Sequence, residues 1–164
     1  MTLKKYEGDV NDFINSMAIA LEEGSVDPDV RRLAEYAVVS FNPTFHVRAV
    51  FNFVRQTFPY LADPVDAELL QHPRIISQDY LNQGRARGLD CDCVAVLEAA
   101  MLSSIGIRSR VAIMDTAQKG SYDHAVCQVF SSTLGNIWLN ADTTTNYPFG
   151  WELNHGMITY IGEN

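Results

Sequence analysis

Cys91, His124 and Asp142 are residue types that, in this order along a chain, can build an activated nucleophile. A thiol attacks as its thiolate, so it needs a base, and an imidazole can take the proton and later hand it to a leaving group. A carboxylate on the far side of the ring holds the tautomer and supports the imidazolium. Such a set attacks an amide carbonyl through a thioester, which water resolves as hydrolysis and an amine as transfer. The expected substrate is a peptide, a protein or another amide, and the chemistry needs no cofactor and no metal.

The elements that carry these residues must bring them together. Residues 94–105 form an apolar run in which only Glu98, Ser103 and Ser104 are polar. A helix apolar on nearly every side belongs inside a domain. Asp90 is placed to cap its start, and Gly106 stands where a left-handed residue often ends a helix. Cys91 thereby falls in the first turn, where unpaired N–H groups and the positive dipole end favour a thiolate and the Cys91 amide can meet an oxyanion. The plainer reading is that Cys91 is a small buried apolar residue. Asp90 and Asp92 oppose a thiolate by about 0.6 kcal/mol each at about 7 Å, together comparable to the dipole gain of about 0.3 to 1 kcal/mol. His124 must therefore decide the protonation of the thiol.

After Gly106 the apolar period changes from helical to two, and residues 107–114, 124–130, 136–142 and 157–161 read as strands. If residues 132–134 are a hairpin loop, His124 lies directly opposite Asp142, with Cβ atoms about 4.5 to 5.5 Å apart. The same register pairs Ala125 with Ala141, Cys127 with Leu139 and Val129 with Ile137 on the other face.

Before the apolar run, amphipathic stripes predict helices over residues 10–21, 28–41 and 45–57, the second opened by Asp27 and Pro28. Between residues 59 and 87 the pattern breaks at Asp63-Pro64, His72-Pro73 and Gly84, and reads as ordered loop with Leu69 and Leu70 in a helical turn. A connection this long is usually functional, so it is expected to wall a cleft at Cys91. Helices followed by strands indicate an α+β fold in which an antiparallel sheet packs on the central helix. Residues 1–50 form an N-terminal helical part of the same domain and residues 51–164 its core.

Here the chain resembles the transglutaminase-like branch of papain-fold cysteine enzymes. The resemblance rests on Asp90-Cys91-Asp92 before an apolar helix, Gly106-Ile107 at its end, His124 opening a strand, and Trp138 four residues before Asp142 on the next. It implies a papain-like core with Cys91, His124 and Asp142 as catalytic residues. Tyr60, Asp63-Pro64, Glu68, Gln71 and Pro73 are similar to the lead-in of a subset frequent in phages and prophages. Phage structural proteins are accordingly candidate partners, and virion association a candidate location. Two positions depart from the pattern: Leu89 stands where the family has glycine, with Gly88 one place earlier, and Cys93 replaces an aspartate. The family also uses an upstream oxyanion-hole side chain, for which Gln78, Asn82 and Gln83 are candidates.

A zinc set of Cys91, Cys93, His124 and Cys127 is the rival use of the same residues. On a strand, however, His124 and Cys127 point to opposite faces. His46, His72 and His155 have no partner pattern and are expected at the surface or in structural roles. A net charge of −8 with scattered basic residues disfavours nucleic acid and anionic membranes. The charged stretch 1–10 lacks the apolar segment of a signal peptide, and three cysteines form a poor disulfide framework, so a reducing cytoplasm is expected. A non-catalytic assembly protein on the same fold is the rival to an enzyme.

Overall fold

The structure is a computed structural model that describes residues 4–6, 9–64 and 67–162. Half of the stretch read for a signal peptide, residues 1–10, lies outside them. The described elements run β1 (Lys4–Tyr6), α1 (Val10–Ser25), α2 (Pro28–Phe41), α3 (His46–Thr57), β2 (Glu68–Leu70), α4 (Pro73–Gln83), α5 (Cys91–Ser104), β3 (Ser109–Met114), β4 (His124–Ser131), β5 (Ile137–Ala141) and β6 (Ile158–Ile161). The fold is α+β, as the order of apolar periods implies.

Helix α5 is the centre of the molecule. Every residue from Cys93 to Leu102 is buried, Glu98 included. Asp90 caps its start by accepting the Cys93 N–H at 3.0 Å, and Gly106 follows its end at φ 84°. Against one side lies an antiparallel sheet in the order β5-β4-β3-β6. Val111, Ile113, Ala125, Cys127, Val129 and Ala141 join the same core cluster as α5, whereas Ala112, Met114 and Val126 pack on the opposite face with Leu153 and Ile158. Helices α1, α2 and α3 cover the rest of α5 with Met17, Leu21, Leu33, Val50, Phe53 and Val54.

The loop reading of residues 59–87 needs correction. Glu68, Leu69 and Leu70 form strand β2, which pairs antiparallel with β1, so Leu69 and Leu70 are not in a helical turn. Residues 73–83 are a helix: His72 caps it by accepting the Arg74 N–H, Pro73 occupies the first turn, and Gly84 closes it in the left-handed region. His72-Pro73 is thus the same start signal as Asp27-Pro28, given by a residue that seldom caps helices.

The register also differs. Cys127 pairs with Ala141, Val129 with Leu139 and Ser131 with Ile137, two places from the expected alignment. The turn is longer than three residues because Gly135 and Asn136 both take positive φ, at 97° and 60°. A shift of two preserves which face each side chain occupies, so His124 and Asp142 become diagonal neighbours on one face.

We predict that Val96→Asp or Leu97→Asp unfolds the domain, since an unpaired charge inside α5 costs about 4 kcal/mol or more of a total near 5 to 15 kcal/mol. Cys91→Ala, at the helix end, should change stability by about 1 kcal/mol or less. Thermal melts followed by circular dichroism distinguish the two. Equal loss in both would make Cys91 a core residue.

Candidate active site

The start of α5 opens into a cavity of about 410 Å³ lined by Cys91 and His124. Tyr60, Asp63, Glu68, Asp90, Asp92 and Asp123 give it an acidic wall, and Val10, Phe13, Ile14 and Met17 of α1 an apolar one. The walls come from segments far apart in sequence. Residues 59–61 run beside 89, with the Leu61 N–H on the Leu89 carbonyl at 2.9 Å and the Leu89 N–H on the Pro59 carbonyl at 3.0 Å. This approach requires Gly88, because a Cβ there would stand 2.6 Å from that of Leu61. Leu89 points into the core and does not line the cavity.

His124 and Asp142 are joined. The imidazole Nε2 lies 2.8 Å from Asp142 Oδ2, while Thr144 donates to Oδ1 from its backbone N–H at 3.0 Å and its hydroxyl at 2.8 Å. Burial works against ionising His124, but the bond to Asp142 and the charges of Asp142, Asp123 and Asp92 outweigh it and hold the imidazole above its ordinary value of 6.5. Burial likewise works against ionised Asp142, and His124 and Thr144 reverse it, so this carboxyl lies below the usual range.

The thiol sits in a different field. Burial pushes Cys91 far up, Asp92, Asp90 and Asp142 add to the rise, and a hydrogen bond from the backbone of Ala125 opposes it. That contact sets the sulfur beside the residue next to His124. Sγ also lies 3.8 Å from Asp92 Oδ1. The resting thiol is therefore held protonated, chiefly by burial, which spacing alone does not show.

The acidic wall is itself partly neutral. Burial and Asp90, Glu68 and Asp63 push Asp92 up to about 7. Burial, helped by Asp63 and opposed by hydrogen bonds with Cys93, pushes Asp90 up to about 6. Oxygens of Asp63, Glu68 and Asp90 lie within 4.8 Å of one another, the donor type a hard cation takes.

The four residues of the zinc alternative do not converge. Cys93 Sγ donates to the Leu69 carbonyl at 3.1 Å and accepts the Gln71 N–H at 3.2 Å, tying α5 to β2. Cys127 is buried in the core cluster on the face away from His124. The oxyanion candidates require correction too, since none of Gln78, Asn82 and Gln83 lines the cavity. Gln78 instead donates to Asp29 at 2.9 Å and joins α4 to α2. Tyr60 lies closer to the chemistry: burial raises its phenol first, and Cys91 next. Its only signal in sequence was its place in the lead-in motif. His46 and His155 are exposed, and His72 caps α4 and meets Glu23 at 3.0 Å.

With the geometry in view, the comparisons place the chain. The Transglutaminase-like superfamily profile matches residues 32–143, from within α2 to just past Asp142, and the chain belongs to that superfamily. Among solved structures, a protein from Cytophaga hutchinsonii provisionally named a cysteine protease is similar at 15% identity and a TM-score of 0.48, over 96% of this chain and 53% of that one. This chain thus spans about half the length of that protein. No curated protein matched. Among the described residues no helix is long and apolar enough to cross a membrane.

Protonation of the site bears on stability. Asp90, Asp92, buried Glu98 and His124 all hold protons more tightly folded than unfolded, so the folded state binds more protons as pH rises from the ordinary carboxylate value of 3.8 through about 7. Stability must fall over that window. Asp142, whose carboxyl is depressed, acts only below it. We predict a higher Tm near pH 5 than near pH 8, and a shallower slope in Asp92→Asn. A Tm that rises over this range would contradict the assignment.

Proposed function

We propose that this chain is a thiol-dependent acyl-transfer enzyme that cleaves an amide, with Cys91 as nucleophile, His124 as proton carrier and Asp142 as the carboxylate that holds the imidazole. The observation that carries the reading is the 2.8 Å His124–Asp142 pair opening onto the cavity where Cys91 starts a buried helix.

With Nε2 engaged by Asp142, Nδ1 is the nitrogen available for proton exchange. Because the resting thiol is protonated, its proton passes to His124 as sulfur bonds to the substrate carbonyl carbon. Negative charge gathers on the carbonyl oxygen, where the Cys91 N–H can receive it. The C–N bond breaks as His124 returns the proton to the leaving amine. Water then adds to the thioester, giving its proton to His124, and the carboxylic acid departs as the proton returns to sulfur.

Water is favoured over an amine as the second acceptor. An amine is cationic at neutral pH, and Asp92, pushed up to about 7, is only partly ionised there, which weakens the hold of the acidic wall on it. The acidic wall also makes an anionic substrate a poor fit.

The test supplies an acyl-donor ester and a peptide panel with and without a primary amine. We predict hydrolysis that Cys91→Ala or His124→Ala lowers by about a thousandfold or more. The rate should rise with pH through the His124 pKa, above 6.5, because only the neutral imidazole accepts the thiol proton. Product appearing only as the new amide would make the enzyme a transferase. No Cys91-dependent turnover, together with slow alkylation of Cys91, would favour a non-catalytic assembly role, of which the phage-type lead-in is the sequence sign.

A further inference from the structure

Asp142 lies just beyond the end of β5, where the ladder with β4 stops at Ala141. Its carboxylate is fixed by His124 and Thr144, but neither bond fixes the backbone that carries it. That backbone is held from another element. Arg55, in the last turn of α3, donates from Nη2 to the Asp142 carbonyl at 2.6 Å and to the Tyr147 carbonyl at 2.5 Å. One nitrogen thus closes the segment from 142 to 147 against α3. The guanidinium in turn rests 4.3 Å from the centre of the Phe51 ring, one helical turn earlier.

Glu98 lies behind this clamp. It is 1% exposed, and neither carboxyl oxygen has a hydrogen-bond partner. Burial and Asp142 push it well up, against the pull of Arg55. The bonds of Arg55 go to the two backbone carbonyls and not to this carboxyl group.

We propose that Arg55 is a positioning residue for the reaction: by clamping the carbonyls of Asp142 and Tyr147 to α3, it holds the Asp142 carboxylate in line with the His124 ring. The proposal rests on the triad reading above. It assigns to α3, which lines no part of the cavity, a role in setting the proton affinity of His124.

The charges facing His124 are Asp142 after β5, Asp123 before β4 and Asp92 on α5. Loss of the clamp should loosen Asp142 and lower the proton affinity of His124. Loss of the Arg55 charge alone should do the opposite, since a nearby cation disfavours an imidazolium. The direction of the shift therefore separates positioning from simple electrostatics.

The experiment measures the rate of Cys91 alkylation by iodoacetamide against pH on the full chain, with the modified residue located by fragment mass spectrometry and folding checked by circular dichroism. The variants are Arg55→Met, Arg55→Gln, Arg55→Lys and Asp142→Asn. Expected is an alkylation limb that moves to lower pH in Arg55→Met, with a plateau about ten- to a hundredfold lower, the scale of a misplaced catalytic group. Arg55→Lys, whose ammonium can still reach a carbonyl, should restore most of both. If Arg55→Met does not fold, Arg55→Gln takes its place, since it keeps a donor but loses the reach to both carbonyls. A limb that stays put or moves to higher pH in the folded variants overturns the proposal. Asp142→Asn is the separate control: if it leaves limb and plateau unchanged, the triad reading itself fails, whatever Arg55 does.

Discussion

The burial of helix α5 is the constraint on which the structure depends. A helix whose residues from Cys93 to Leu102 are all buried must be covered on every side, and one sheet cannot do it. The sheet takes one side, and α1, α2 and α3 take the remainder. Only the two ends, Cys91-Asp92 and Ser103-Ser104, are free of this demand, and the cavity opens at the first. There the capped N-terminus meets the cavity, so the position of Cys91 follows from the same burial that stabilises the fold.

The sheet then determines what faces that first turn. Strand β4 packs its odd-numbered residues, Ala125, Cys127 and Val129, on α5, and its first residue, His124, falls at the edge of the cavity. Asp142 reaches His124 from just past the end of β5, where pairing no longer holds the backbone. Thr144 binds the carboxylate, and Arg55 takes over the backbone through its bond to the carbonyl. Residues at strand ends are freer to turn toward a cavity than those within a ladder, at the cost of needing such outside supports.

The electrostatics of the cavity divide the work. Asp142 lies below the usual carboxylate range because His124 and Thr144 bind it, whereas burial and neighbouring carboxylates push Asp90 up to about 6 and Asp92 up to about 7. Asp142 and Asp92, which raise the imidazole, also raise the thiol. A standing thiolate is thereby disfavoured, so under the proposed function the thiol would lose its proton only as it attacks.

Much of this was legible in the sequence because it is local. The buried helix followed from the unbroken apolar run 94–105, its cap from Asp90, the α+β class from the change of period after Gly106, and the shared face of His124 and Asp142 from an alternation that survives a two-residue slip. Three things were not legible. Helix α4 has a weak apolar stripe and starts on an unusual cap, so its His72-Pro73 looked like a break. The hairpin register depended on positive φ at Asn136, which composition does not announce. The cavity walls join segments distant in sequence, the Arg55 clamp joins residues about 90 positions apart, and the proton affinity of Asp90, Asp92 and Glu98 depends on how deeply each is buried. By itself the sequence determined which residues could do chemistry and which helix must be central, since both are written in residue type and near-neighbour spacing. Only the tertiary structure decided which groups surround the thiol and what charge they carry, because desolvation and long-range contact exist only once the chain has closed on itself.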